Sequence, residues 1–328
     1  MRRREADSGR EHELLVRSRV SKDSYPKKAD GQPSLGLVCI THSKEVRYRT
    51  ITLTRYRALP EGERRAVLEE LYRSNVETLF KALTFCTSQG IRLYRMTANL
   101  FPMGDLDDGI GRGVLAELSP RLAEFGSAAQ TAGVRVVIHP EQFVVLNSLR
   151  PEVITNSVRV LTFHGAVLDL LGLPQSAWCA VNIHGGKGGR PDELVETILS
   201  LPENVRSRLT LENDERAYGA AEILEVCEAA GVPMVFDAHH HVVKEKLSDF
   251  DDSSVYEFTE RARQTWTPPE WQLVHLSNGR DGVQDKRHSD LIREVPTAYA
   301  DVNWIEVEAK HKEVAIAGLQ GHPTLVKE

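Results

Sequence analysis

Six apolar runs in this chain each end in a side chain able to bind a metal ion. His139 follows 134–138, His184 follows 178–183, Glu212 follows 209–211, Asp237 follows 233–236, His275 follows 272–274, and Glu306 and Glu308 close 302–305. The densest stretch is Val235-Phe236-Asp237-Ala238-His239-His240-His241, an acid and three imidazoles in one short span. His240 and His288 add donors beyond the runs that end at Asp237 and His275. Imidazole nitrogen together with carboxylate oxygen suits zinc, manganese or iron(II) more than magnesium, which prefers oxygen and water. One histidine in such a place is more often a packed core residue than a ligand. Six coincidences are hard to assign to packing, because burying that many unpaired ionisable groups is strongly unfavourable. The donors exceed the needs of one ion, so the pattern implies roughly two to three. Sites of that kind favour phosphoryl chemistry, one ion lowering the pKa of water and another stabilising the oxygen that leaves.

Such scattered side chains meet only if the runs are parallel strands whose carboxyl ends share one face. The chain reads that way. A first strand at 35–40 precedes a polar connection, and 61–88 carries Val67, Leu68, Leu71, Val76, Leu79, Phe80 and Leu83 at helical period, with Gly90 closing it. A second strand at 91–96 leads into a Gly/Asp-rich loop, 102–113, and a helix from Val114 to about Thr131. Helices follow at about 151–171, 191–201, 219–230 and 255–264, between the ligand-ending runs, with a closing helix from about Lys310. The seventh crossover, around 289–293, is weak. Eight β/α units fit a (β/α)8 TIM barrel, an α/β fold, better than a doubly wound sheet. No Gly-rich phosphate turn follows the first strand, and Gly185-Gly186-Lys187-Gly188-Gly189 lacks P-loop spacing.

Bulk properties narrow the partners. At 328 residues and 41% hydrophobic content the chain buries a sizeable core, and no apolar run approaches membrane length. Residues 1–33 are polar without periodicity and read as a flexible tail, leaving 34–328 as one barrel domain. The start of the chain lacks an apolar segment, so it is not a secretory signal. Cys39, Cys86, Cys179 and Cys227 are far apart and form neither a zinc ribbon nor a disulfide framework, which favours a reducing, cytoplasmic setting. The formal charge of -6 argues against a general nucleic-acid coat protein but not against a nuclease, whose carboxylate-rich site is reversed in sign by bound metal.

The motifs His139-Pro140-Glu141-Gln142-Phe143, Asn182-Ile183-His184-Gly185-Gly186, Leu211-Glu212-Asn213-Asp214, Asp237 with His240, His275-Leu276-Ser277, His288-Ser289-Asp290 and Glu308-Ala309-Lys310 together resemble the UV damage endonuclease family. The resemblance runs from about Leu35 to Ile316. It implies a TIM barrel like that of the abasic-site endonucleases. The implied reaction is ATP-independent incision immediately 5′ of UV photoproducts in double-stranded DNA (cyclobutane dimers, 6-4 photoproducts, also abasic sites). Manganese is the metal implied first, with zinc, cobalt or magnesium as alternatives. Carried over by motif, His139, His184, Glu212, Asp237, His240, His275, His288 and Glu308 are metal ligands, and Glu212, His275 and Glu308 form the catalytic core. Gln142 and Phe143 stand where the family has a Gln and an aromatic at the lesion. An amide and an aromatic wedge can fill the gap left when damaged bases leave the stack. Arg95, in Tyr94-Arg95-Met96-Thr97, matches an Arg at a strand end, where a phosphate contact and a structural ion pair are both open. No membrane or obligate protein partner is implied.

The chain departs from the family pattern at named positions. Met103-Gly104-Asp105-Leu106-Asp107-Asp108 holds no histidine where family members carry one, so an Asp substitutes or a ligand is absent. Leu273 stands where a lysine is common, and Leu37 and Thr41 where Tyr and Asn are usual. Within the His-rich run, the D-x-x-H spacing selects Asp237 and His240. His239 and His241 are expected to point elsewhere on a tight turn, in supporting or solvent-facing roles. His164 is expected to pack in its helix or face solvent. His12, His42, His311 and His322 need only surface roles, and for Lys187 with Arg190 a phosphate grip and a solvated loop are equally open. Two rival readings share the ligand pattern: a sugar-isomerase-type barrel enzyme, and a damage-binding barrel that has lost catalysis.

Overall fold

A computed structural model describes residues 32–326. All but the last two residues of the expected tail, with His12, lie outside the described residues. Eight parallel strands form a closed barrel in sequence order: β1 (Ser34–Val38), β2 (Leu93–Met96), β3 (Arg135–Ile138), β4 (Val181–His184), β5 (Leu209–Glu212), β6 (Met234–Asp237), β7 (Leu273–Leu276) and β8 (Trp304–Val307), which pairs back to β1. The helices are α1 (Leu53–Ala58), α2 (Glu61–Ser88), α3 (Ile110–Thr131), α4 (Pro151–Leu170), α5 (Pro191–Leu199), α6 (Glu203–Arg206), α7 (Ala220–Ala230), α8 (Ala238–Glu245), α9 (Ser253–Gln264) and α10 (Glu313–Gly318). This is the expected (β/α)8 architecture. Among the described residues, no helix is long and apolar enough to cross a membrane.

Local sequence explains the elements. In α2 the buried Leu68, Leu71, Tyr72, Asn75, Val76, Leu79, Ala82, Leu83 and Cys86 recur at three- and four-residue spacing, one stripe against the sheet. Pro151 and Pro191 open α4 and α5 at the position where a missing N–H does no harm. Gly36 in β1 has a packing role: a Cβ there would lie 2.7 Å from Leu93 Cδ2, so its absence lets Leu93 fill the barrel interior.

Several boundaries differ from the sequence reading. β1 ends at Val38 rather than 40, because Cys39 turns at φ 63°. The expected fourth strand begins at 178, but Ala177–Cys179 is a 3-10 turn and β4 starts only at Val181. α3 begins at Ile110, four residues earlier than expected, and α10 begins at Glu313 rather than near Lys310. The expected tight turn at 238–241 is instead the start of α8, capped by the Asp237 side chain accepting from His240 N. The seventh crossover has no α-helix. It is a long loop with an antiparallel bridge between Gly279 and His288 and a 3-10 turn at Thr297–Tyr299. Gly279 is required there, since a Cβ would sit 2.0 Å from Gly282 O.

The amino-terminal end of the barrel is sealed. Arg135, fully buried at the start of β3, donates to the carbonyls of Trp178 (2.7 Å), Trp271 (2.9 Å) and Ala177 (3.1 Å). Its guanidinium also lies against the rings of Trp178, Trp266 and Trp304 at 4.7, 5.6 and 5.3 Å. The opposite end gathers the candidate donors.

Candidate metal centre

Strand register sets the heights of the donors. His184 pairs with Glu212 across β4 and β5, Asp237 with His275 across β6 and β7, and His275 with Glu306 across β7 and β8. Because side chains alternate along a strand, Asn182 and His184 share one face of β4, and Thr210 and Glu212 one face of β5. The barrel therefore stacks a layer of donors over a layer of supports. Leu273, two residues before His275, lies beneath it on the same face and is fully buried.

Three overlapping groups bring ligand atoms within 4.8 Å of one another: His139, His184 and Glu212; Glu212, Asp237 and His240; Asp237, His275 and Glu308. Glu212 is common to the first two and Asp237 to the last two. His288 joins through its Nδ1, 3.7 Å from Glu308 Oε2. All eight expected ligands thus lie in one connected cluster. The loop aspartates do not join it. Asp105 and Asp107 pair with Arg159 at 3.3 and 3.8 Å, while Asp108 accepts from Tyr56 Oη at 2.7 Å and from Ile110 N at 3.0 Å. No Asp takes the place of the loop histidine.

Supporting residues orient the donors. His139 Nδ1 donates to Pro140 O at 2.9 Å and His240 Nδ1 to Asn213 O at 2.9 Å, so in each ring Nε2 is the nitrogen left to face a metal ion; in His139 it lies 3.2 Å from Glu212 Oε2. Asn182 Nδ2 donates to Glu212 Oε2 at 2.7 Å and is itself fixed by Thr210 Oγ1 at 2.9 Å. Asn213 bonds both backbone groups of Asp237, each at 2.9 Å. Tyr299 Oη donates to His275 O at 3.0 Å and ties β7 to β6. Tyr299 belongs to none of the strand-end motifs, and only the folded register gives it a role. Asn182 and Asn213 carried a signal, each being a polar residue one or two positions from a ligand within a strand-end motif.

Charge in this pocket is lopsided. Glu212, Asp237 and Glu306 are almost wholly buried, with Glu308 beside them, and Arg95 is the one permanent cation paired with the cluster among the described residues. Its Nη1 lies 3.1 Å from Glu306 Oε2 and 2.5 Å from Glu308 Oε1. Burial alone would raise Glu212, Glu306 and Glu308, but the surrounding cations hold all three below the usual carboxylate range, His275 foremost for Glu212 and Arg95 for the others. Burial would lower His240 and His275. Asp237 and Glu212 outweigh it at His240, raised to about 9, and Glu212, Glu308 and Glu306 outweigh it at His275, which is held well above its usual value. His184 goes the other way, pushed down chiefly by burial. Asp237 Oδ2 is buried without a hydrogen-bond partner. A pocket that draws protons onto His240 and His275 and leaves a buried carboxylate oxygen unmatched fits divalent cations.

The remaining expected residues separate clearly. Gln142 and Phe143 project from the loop after β3, and Phe143 is 64% exposed. Arg95 is buried in its ion pairs. His239 and His241 are buried, correcting the solvent-facing alternative: His239 Nδ1 meets Ser277 Oγ at 3.1 Å and His241 Nε2 meets Ser254 Oγ at 2.9 Å. Burial pushes both below the usual histidine value. His164 packs inside α4. Glu215 escaped the sequence reading; its Oε2 lies 4.0 Å from His240 Nε2.

The chain is 59% identical over 289 residues to the UV DNA damage endonuclease of Deinococcus radiodurans, covering 88% of this chain and 95% of that one. It is 50% identical over 293 residues to the UV DNA damage endonuclease of a Nostoc species, covering 89% and 91%. Its fold matches the crystal structure of SacUVDE with a TM-score of 0.73 at 25% identity, covering 89% of this chain and all of that one. The family model described as UV-endonuclease UvdE matches residues 33–325, and the chain belongs to that family.

Proposed function

We propose that this protein is a metal-dependent DNA repair endonuclease that cuts the backbone of double-stranded DNA immediately 5′ of UV photoproducts, without ATP. The observation that carries the reading is the set of three overlapping ligand groups at the open end of the barrel, in a chain of this family. His139, His184, Glu212, Asp237, His240, His275, His288 and Glu308 would hold roughly two to three divalent ions, manganese foremost. Those ions would supply Lewis-acid stabilisation of charge on the phosphate and a nucleophile at neutral pH.

The chain's own residues supply position. Glu212, His275 and Glu308 form the catalytic core, joined by contacts of 2.9 Å (His275 Nδ1 to Glu212 Oε1) and 3.5 Å (His275 Nδ1 to Glu308 Oε1). Arg95 fixes Glu308 and Glu306 in place, a positioning role. Phe143 is the wedge that enters the duplex where a distorted dinucleotide leaves the stack, and Gln142 offers its amide to the exposed bases. Selectivity follows because unstacking a damaged step requires less energy than unstacking an intact one. The proposed substrates are cyclobutane dimers, 6-4 photoproducts and abasic sites. Residues 34–328 act as one catalytic domain in this reading, in the cytoplasm.

The test is the incision position. A duplex with a single thymine dimer, labelled at its 5′ end, should give one product ending at the bond just before the dimer. A cut on the 3′ side, or several cuts scattered along the strand, would refute the assignment.

A further inference from the structure

Just past β8, Lys312 holds a backbone conformation that L-residues avoid, with φ 47° and ψ -114°. The surroundings enforce it. Lys312 N donates to Ala309 O at 3.3 Å, and its own carbonyl accepts from Ala315 N at 3.0 Å and Ile316 N at 3.1 Å. On one side His311 N donates to Asp290 O at 3.0 Å. On the other, the Glu313 carboxylate accepts from His42 N and Ser43 N at 2.6 and 2.7 Å, and the rings of His42 and His311 lie 4.4 Å apart. Strain that is held from several directions collects at functional sites.

The side chain gives that strain a purpose. Lys312 is partly buried within electrostatic reach of Glu308 and Arg95, yet among the described residues its ammonium forms no hydrogen bond or ion pair. Arg95 is neutralised by Glu306 and Glu308. Arg47, from the segment after β1, is exposed and likewise forms no ion pair among the described residues, and its charge reaches Lys312. Lys312 therefore brings an unmatched cation to the β1 and β8 side of the ligand cluster, four residues past Glu308, with the exposed Arg47 within electrostatic reach of it. The partner they lack is an anion, and the endonuclease reading supplies a phosphodiester.

We propose that Lys312, with Arg47 beside it, grips a backbone phosphate of the DNA strand next to Glu308 and so sets the strand's position on the metal centre. This rests on the endonuclease reading. As a contact made equally in the ground and transition states, it acts on KM rather than kcat.

The experiment compares wild type with Lys312→Gln, Lys312→Gly, Lys312→Arg and Arg47→Gln. Nicking of a single-dimer duplex with manganese is measured at several salt concentrations, together with the melting temperature. Loss of one charge-assisted phosphate contact should raise KM about tenfold in Lys312→Gln and Lys312→Gly with kcat nearly unchanged. The slope of log(kcat/KM) against log salt should become shallower by about 0.9 in each variant that loses a cation. Lys312→Arg should keep most of the affinity. Lys312→Gly accepts a positive φ, so it should melt no lower than wild type while binding worse. Unchanged KM and salt slope in both Lys312→Gln and Lys312→Gly, with wild type nicking normally, would overturn the grip alone. A wild-type protein that nicks no damaged duplex would overturn the endonuclease reading and the grip with it.

Discussion

His275 Nδ1 lies 2.9 Å from Glu212 Oε1, joining β7 to β5 across the floor of the ligand cluster. Neither residue is near the other in sequence, and both are wholly buried. Burying such a pair without further compensation is unfavourable, so the contact marks a site arranged for additional positive charge.

His240 and His241 should behave oppositely when changed to alanine. His240 offers Nε2 to the cluster, so His240→Ala should lower metal-dependent nicking at least about 100-fold. His241 is buried against Ser254, and His241→Ala should lower the melting temperature while leaving kcat within about threefold. The reverse order of nicking losses would show that the wrong histidine has been placed at the metal.

Arg95→Met should leave Glu306 and Glu308 without their permanent partner. In the metal-free protein the loss should be about 3–5 kcal/mol, the range for a broken buried pair. Manganese binds the folded state and should return part of it. Urea unfolding with and without manganese reads both quantities, and an unchanged midpoint without metal would contradict the arrangement.

His164 gives a pH dependence of known sign. Burial lowers it from the usual 6.5 to about 4. Between those values the unfolded chain binds a proton that the folded chain refuses, so its contribution is fully present above about pH 6.5 and is lost as pH falls toward 4. The loss amounts to about 3 kcal/mol at the low end. His164→Leu should therefore show a flatter fall in unfolding free energy between pH 7 and pH 4.5, measured by urea titration. Parallel curves for the two proteins would contradict the assignment.

Phe143 is exposed, so Phe143→Ala should leave the melting temperature within about 1 °C. It should also reduce discrimination, measured as the ratio of kcat/KM for a dimer-containing duplex to that for an intact one, by about tenfold. A normal ratio with normal stability would remove the wedge from the account.

The fold was largely legible because strand-end ligands and apolar runs are both local signals. Each run from 134–138 to 302–305 became a strand in parallel order. What escaped was set by tertiary geometry. α8 has no counterpart in the sequence reading because its buried face includes His239 and His241 beside Ala238, Val242 and Val243, residues that read as donors rather than as an apolar stripe; the Asp237 carboxylate that caps it is also one of the candidate donors of the cluster. Tyr299 and Arg135 act through backbone carbonyls distant in sequence, which no periodicity reveals. On sequence alone Arg95 admits both a phosphate contact and an ion pair, and its pairing depends on β2 and β8 flanking β1 in the closed barrel. The loop aspartates 105, 107 and 108 could be judged only once Arg159 and Tyr56 were seen to hold them.

The most direct measurement is nicking of a duplex carrying one photodimer beside an identical undamaged duplex, with manganese and again with excess chelator. The account predicts cutting of the damaged duplex alone, restored after chelation by added manganese. Equal cutting of both duplexes, or cutting that chelator leaves untouched, would contradict it.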